Sequence, residues 1–169
     1  MACTTLESIL KTCDSNIGGI TSIYINDQEN IDNTALVITA YVITDFGALT
    51  AQFLPFEFRR NTGMYTEEAA IDLVNGSSYY TQTVTLMFHR REAAKSKAIK
   101  ILGEGQRDLA LVVGDANGKY WYFPTAQLTA VAEGSGTAKA DGSKYSITFV
   151  AENENLAYEV AAAEIPNII

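Results

Sequence analysis

Histidine is almost missing from this chain, and tryptophan, cysteine and proline are scarce: one His, one Trp, two Cys and three Pro in 169 residues. Each shortage removes a class of chemistry. A nucleophilic triad needs a base, and His89 is the single candidate. It ends an alternating strand pattern and precedes Arg90 and Arg91, so a strand-end position accounts for it. One histidine and two cysteines cannot build a structural zinc site. Cys3 and Cys13 lack zinc-ligand spacing and read as small apolar side chains left unpaired in a reducing compartment. No apolar run reaches the ~20 residues of a membrane helix. Met1 to Glu7 shows no basic stretch followed by an apolar one, so no signal peptide is expected.

The remaining motifs are equally bare of chemistry. Gly103-Glu104-Gly105 and Gly134-Ser135-Gly136-Thr137 lack the lysine and the strand-to-helix setting of a phosphate loop. Asp115-Ala116-Asn117-Gly118 opens like a calcium loop, but no Glu stands at the twelfth position, so it reads as a hairpin turn. Any two of the twenty carboxylates could form a glycosidase pair, yet nothing singles one pair out. The chain therefore reads as non-enzymatic, with no catalytic residue, cofactor or metal expected.

What is present is apolar, β-forming and acidic. Hydrophobic residues make up 47% and charged residues 19%, an ordinary globular composition whose length suits one domain over residues 1–169. The net charge of −8 argues against tight binding of nucleic acid, which requires neutralising phosphates with Lys and Arg. Charge is also segregated. Arg90, Arg91, Lys95, Lys97, Lys100 and Arg107 cluster together, while from Glu133 onward six acidic residues face only Lys139 and Lys144. Two readings follow: a solvated helix face, or opposite patches that dock copies head to tail.

Strand signals dominate. An apolar run, Asp108 to Val113, meets the short loop Gly114 to Gly118 and returns as Lys119-Tyr120-Trp121-Tyr122-Phe123, a strong hairpin pattern. Tyr120 and Tyr122 should share one strand face, Trp121 and Phe123 the other. These aromatics fit core packing with a subunit contact, or a carbohydrate-binding platform. Further strands are expected at 20–26, 35–46, 49–58, 79–88, 144–149 and 157–162, with Pro55 marking an edge or bulge. The helix pattern is confined to residues 90–102, where Ala94, Ala98, Ile101 and Leu102 recur at helical spacing before Gly103. Residues 1–19 read as an N-terminal arm with a helical turn at Leu6, Ile9 and Leu10. Residues 59–76 read as a long inter-strand loop, and 163–169 as an apolar C-terminal tail that needs cover from this domain or a neighbour. The expected fold is mainly β: an antiparallel β-sandwich or half-barrel of about eight strands with one flanking α-helix.

In organisation the chain resembles the tail tube proteins of tailed bacteriophages, including virion proteins of crAss-like gut phages. The residues that carry the resemblance are the opening Cys13-Asp14-Ser15-Asn16-Ile17-Gly18-Gly19-Ile20-Thr21-Ser22-Ile23-Tyr24-Ile25, the hairpin Ala110 to Trp121, and Gly136-Thr137 through Asp141-Gly142-Ser143-Lys144-Tyr145-Ser146-Ile147-Thr148-Phe149. The resemblance implies sheets joined edge to edge into a hexameric or dodecameric ring, stacked, in a virion tail or neck. It implies other tail or neck proteins as partners, DNA only as cargo through an acidic lumen, and no membrane. Arg59, Arg60, Met64, Tyr65, Ile165, Ile168 and Ile169 are the expected subunit contacts. The competing expectation is a β-sandwich module that binds a glycan or acts as an adhesin.

Overall fold

A computed structural model describes residues 6–169. Its strands are β1 (Ile20–Asp27), β2 (Val37–Thr39), β3 (Val42–Asp45), β4 (Leu54–Pro55), β5 (Gly63–Asp72), β6 (Ser77–His89), β7 (Leu109–Asp115), β8 (Tyr120–Gly134), β9 (Lys144–Asn153) and β10 (Tyr158–Val160). Helix α1 spans Ala93–Gly103, and α2 is a single turn at Ile165–Ile168. The fold is mainly β and mostly antiparallel with one main helix; the β10–β3 pair runs parallel.

Strand β8 organises the rest because it belongs to two sheets. From Tyr120 to Ala126 it pairs with β7 on one side, and at Tyr120–Tyr122 with β10 on the other. From Gln127 to Gly134 it pairs with β9. The switch falls at Pro124, which cannot donate to a ladder, and at Thr125, held at φ 52°. A β-branched residue there is strained by ~1–3 kcal/mol. Thr125 N donates to Gln28 Oε1 (3.1 Å) and Thr125 Oγ1 to Asn153 Oδ1 (3.1 Å), which hold the bend. The result is one large sheet ordered β2-β3-β10-β8-β7-β1-β4 and a second ordered β5-β6-β9-β8.

Two cores follow from the period of two along each strand. Leu109, Leu111 and Val113 of β7 face the second sheet with Ile23, Ile25, Leu86, Ile147 and Phe149. Ala110 and Val112 face the opposite way, toward Ile43, Phe46, Phe53 and Tyr122. Both faces of β7 are therefore covered, which explains its unbroken apolar run. Burial of each large apolar side chain contributes roughly 1.5–3 kcal/mol. Phe46 packs edge-on against Phe53 (5.7 Å) and Tyr122 (5.2 Å).

Several expectations are corrected. Residues 59–76 are no long loop: they contain β5, which pairs with β6 over ten rungs from Gly63↔Leu86 to Asp72↔Ser77. Glu67, Glu68 and Ala69 are poor strand formers, and the β6 ladder overrides that propensity. The expected strand at 35–46 is a hairpin, β2–β3, turning through Ala40 (φ 49°) and Tyr41 (φ 68°), without the glycine that normally signals such a turn. In the run at 49–58, Leu54 and Pro55 form the strand pairs with β1, Phe56 N adds a bond to Ile23 O (3.0 Å), and Pro55 does lie on an edge. The strands among the described residues number ten. The helix begins at Ala93 because Arg90 has positive φ and Glu92 is extended. Among the described arm residues no helix forms at Leu6, Ile9 and Leu10, and all three are exposed.

Candidate assembly surfaces

Among the described residues, the sheet β5-β6-β9-β8 has two free edges. At one end β5 pairs only with β6, over Gly63–Asp72, with no bulge and with neither proline nor lysine to blunt it. At the other end, Gln127–Gly134 of β8 pairs only with β9. Because β5, β6, β9 and the end of β8 alternate in direction, β8 of one copy laid against β5 of another continues the same antiparallel alternation. The two edges are of similar length, ten residues on β5 and Gln127–Gly134 on β8, and the β8 segment carries a register shift between Leu128 and Ala130.

The phase of the hydrogen bonds on β5 is also defined. Met87 N donates to Thr62 O (2.9 Å), so residues 62 and 87 form a bonded pair. By alternation, Met64, Thr66, Glu68 and Ala70 are bonded to β6. The backbone groups of Gly63, Tyr65, Glu67, Ala69 and Ile71 then point to the free edge.

The outer face of this sheet carries a hydroxyl-rich centre. Thr66, Thr81, Thr83, Thr85, Ser146 and Thr148 lie on it by register. Thr85 Oγ1 and Thr148 Oγ1 stand 3.5 Å apart. Its charges lie at the margins: Glu68, Asp72 and Glu152 against Lys144.

A buried polar network anchors β5 to the place where β8 changes sheets. Glu67 Oε2 accepts from Gln82 Nε2 (2.8 Å) and from Ala157 N (2.8 Å). Asn153 Nδ2 donates to Gln82 Oε1 (2.7 Å) and to Pro124 O (3.1 Å). Gln82 is 1% exposed, so these bonds replace all its water contacts.

The β5–β6 hairpin ends in an apolar tip. Ile71, Leu73 and Val74 are 64%, 91% and 93% exposed. Asp72 shapes the turn: its Oδ1 accepts from Val74 N (2.8 Å) and Asn75 N (3.2 Å), and its Oδ2 accepts from Asn75 Nδ2 (2.5 Å). The Asn75 side-chain bond and the backbone donors hold its carboxyl below the usual range. Gly76 closes the turn at φ 68°.

Of the expected contact residues, Arg59 and Arg60 are exposed ahead of β5, and Met64 is 57% exposed on its outer face. Tyr65 turns inward and packs edge-on against Phe123 (5.5 Å); burial raises its phenol pKa. Ile165 (5%) and Ile168 (1%) close the second core of their own chain, with Phe53 N donating to Ile168 O (2.7 Å). Of the three tail isoleucines, only Ile169, 44% exposed, remains outside. The expectation that Ile165 and Ile168 meet a neighbour is therefore corrected: the gap over Phe46 and Phe53 takes them first. The hairpin tip and the β8 edge were missed; Asn75-Gly76 after an apolar pair was the signal available for the tip.

The aromatic run is committed to packing. Tyr122 and Phe123 are 1% and 0% exposed on opposite faces, and half-buried Trp121 donates from Nε1 to Asp115 Oδ2 (3.1 Å). The carboxylate of Asp115 also accepts from Asn117 N (2.8 Å) and Lys119 N (2.9 Å), so it serves the turn. His89 Nδ1 is buried without a hydrogen-bond partner among the described residues. No group of three or more His, Cys, Asp or Glu among the described residues could hold a metal ion. Cys13 is an exposed free thiol, and Cys3 lies outside the described residues. No helix among the described residues is long and apolar enough to cross a membrane.

No protein-family model matches this chain, and a search of curated proteins finds no match.

Proposed function

We propose that this chain is a non-enzymatic structural protein that joins edge to edge into a ring, and by stacking into a tube, as in the tail or neck of a tailed bacteriophage. The observation that carries the proposal is the pair of free edges of similar length, β5 and the end of β8, which run antiparallel to one another at the two ends of one sheet. An open ten-residue edge invites uncontrolled pairing unless another copy covers it, and heterologous pairing that closes on itself leaves no edge. Ring closure turns the second sheet into the wall of a barrel. Its hydroxyl-rich outer face, on a chain of net charge −8, would then line the lumen. A wall with few cations does not trap a polyphosphate, which suits a conduit through which DNA slides.

The test is the oligomeric state, by light scattering coupled to gel filtration, with negative-stain microscopy over a concentration series. Closed rings with a central pore are the expected result. A monomer at every concentration, with and without virion-tail partners, would overturn the reading.

A further inference from the structure

An asparagine followed by glycine is open to attack by the next backbone nitrogen, because glycine has no side chain to shield that nitrogen. The chain holds two such pairs, Asn75-Gly76 in the β5–β6 turn and Asn117-Gly118 in the β7–β8 turn. Both asparagines are exposed, and both glycines have positive φ, 68° and 80°. Sequence and exposure therefore rank the two pairs alike. Their hydrogen bonds do not.

In the β7–β8 turn both reacting groups are held. Gly118 N, the would-be nucleophile, donates to Asp115 O (3.2 Å). The Asn117 amide is gripped at both atoms by the N-terminal arm: Oδ1 accepts from Ile17 N (2.8 Å), and Nδ2 donates to Asn16 Oδ1 (3.3 Å). Turning the amide carbon onto Gly118 N breaks that grip. In the β5–β6 turn, Gly76 N has no acceptor among the described residues. The Asn75 side chain makes one bond, from Nδ2 to Asp72 Oδ2, and this falls on the nitrogen that would leave.

We infer that Asn75 is a self-modification site, where the turn converts its own asparagine to aspartate and iso-aspartate, and that the arm guards Asn117 against the same reaction. Gly76 N gives up its proton to solvent base and bonds to Asn75 Cγ. The Cγ–Nδ2 bond breaks, and Nδ2 takes a proton from solvent and leaves as ammonia. Water then opens the cyclic imide. Cleavage of the new Gly76 N–Cγ bond gives aspartate, and cleavage of the original peptide bond gives iso-aspartate. One water enters and one ammonia departs. Three bonds restrain the pair at 117 and 118 against one at 75 and 76, a difference worth about tenfold or more in rate.

The product changes the turn that made it. Asp72 loses the side-chain donor that does most to hold its carboxyl below the usual range. A second carboxylate stands in place of that donor, so attraction becomes like-charge repulsion. The backbone bonds from Val74 N and Asn75 N to Asp72 Oδ1 weaken with it, and the tip opens.

The full chain is incubated in mildly alkaline buffer, folded and in parallel in urea, and both Asn-Gly peptides are followed by liquid chromatography and mass spectrometry. In the folded chain, Asn75 should convert about tenfold or more faster than Asn117, and in urea the two rates should converge. Equal rates in the folded chain, a ratio that survives in urea, or an Asn75 that stays intact when folded overturns the inference. Asn16→Ala, at an exposed position, should speed conversion of Asn117 several-fold; an unchanged rate overturns the guarding role of the arm. Asn75→Asp reproduces one product, and should speed hydrogen exchange at the amides of residues 74 and 75 several-fold. Unaltered exchange there overturns the opening of the tip. None of these readouts depends on ring formation.

Discussion

Replacing Ala69 by proline is expected to abolish edge-to-edge assembly while leaving the monomer folded. Ala69 lies in β5 opposite Tyr80, and the bonded pair at 62 and 87 sets its N–H toward the free edge. Proline there deletes a donor that bonds nothing within the chain, and its fixed φ suits an edge strand. Monomer stability should change by no more than about 1 kcal/mol. At the interface, one backbone bond is lost (~1 kcal/mol) and a partner carbonyl is stranded without a donor (~1–3 kcal/mol). The combined ~2–4 kcal/mol weakens each contact about 30- to 1,000-fold. Thr66→Pro is the matched control. Its N–H points into the β6 ladder, so it should lower the urea midpoint by a loss of about 2–4 kcal/mol as well as impair assembly. Sedimentation velocity over a concentration series, paired with urea melts, separates the two. Ala69→Pro assembling as the parent does would refute the assignment of β5 as the interface. Equal destabilisation by both prolines would refute the hydrogen-bond phase.

Three further outcomes follow from the structure. Burial pushes the Tyr122 phenol up from 10.0 to about 12, against a weak opposing bond from Gln28. A raised acid pKa means the fold favours the neutral phenol, so its contribution is intact below pH 10 and is lost as pH rises from 10 toward 12. The loss is roughly 2–3 kcal/mol, and Tyr122→Phe should flatten this alkaline limb in denaturant melts taken across that range. Glu67→Ala strands the buried amide of Gln82 and the N–H of Ala157, and should cost about 2–4 kcal/mol in urea unfolding; Glu67→Gln should recover part of it. Ile168→Ala should destabilise the monomer by about 2–5 kcal/mol without changing its association, because Ile168 fills the chain's own core. A change in association with no change in stability would restore the tail as a contact.

Local pattern carried much of the fold. The apolar run of β7, the turn at Asp115–Gly118, the alternation of β6 and β9, and the spacing within α1 were all legible, because each depends on residues near in sequence. The split of the aromatics followed from the period of two, and Tyr122 and Phe123 do enter different cores. The candidate surface was harder to read. β5 has an intrinsically ambiguous sequence, and its strand character comes from the β6 ladder beside it. The tail was legible as apolar but not as to destination, since burial in the same chain and burial in a neighbour use the same residues.

That the chain is acidic, mainly β and poor in the residues of common active sites follows from composition and periodicity, which are properties of the covalent chain. Which strand edges stay free and which apolar side chains remain exposed emerges from the folded arrangement alone. Those are differences between what a ladder or a core demands and what the rest of the chain supplies. β8 changes sheets at Pro124 and Thr125, leaving Gln127–Gly134 with one partner, and α2 fills its own core before any neighbour can. Such remainders depend on long-range pairing and are invisible until every other contact has been made.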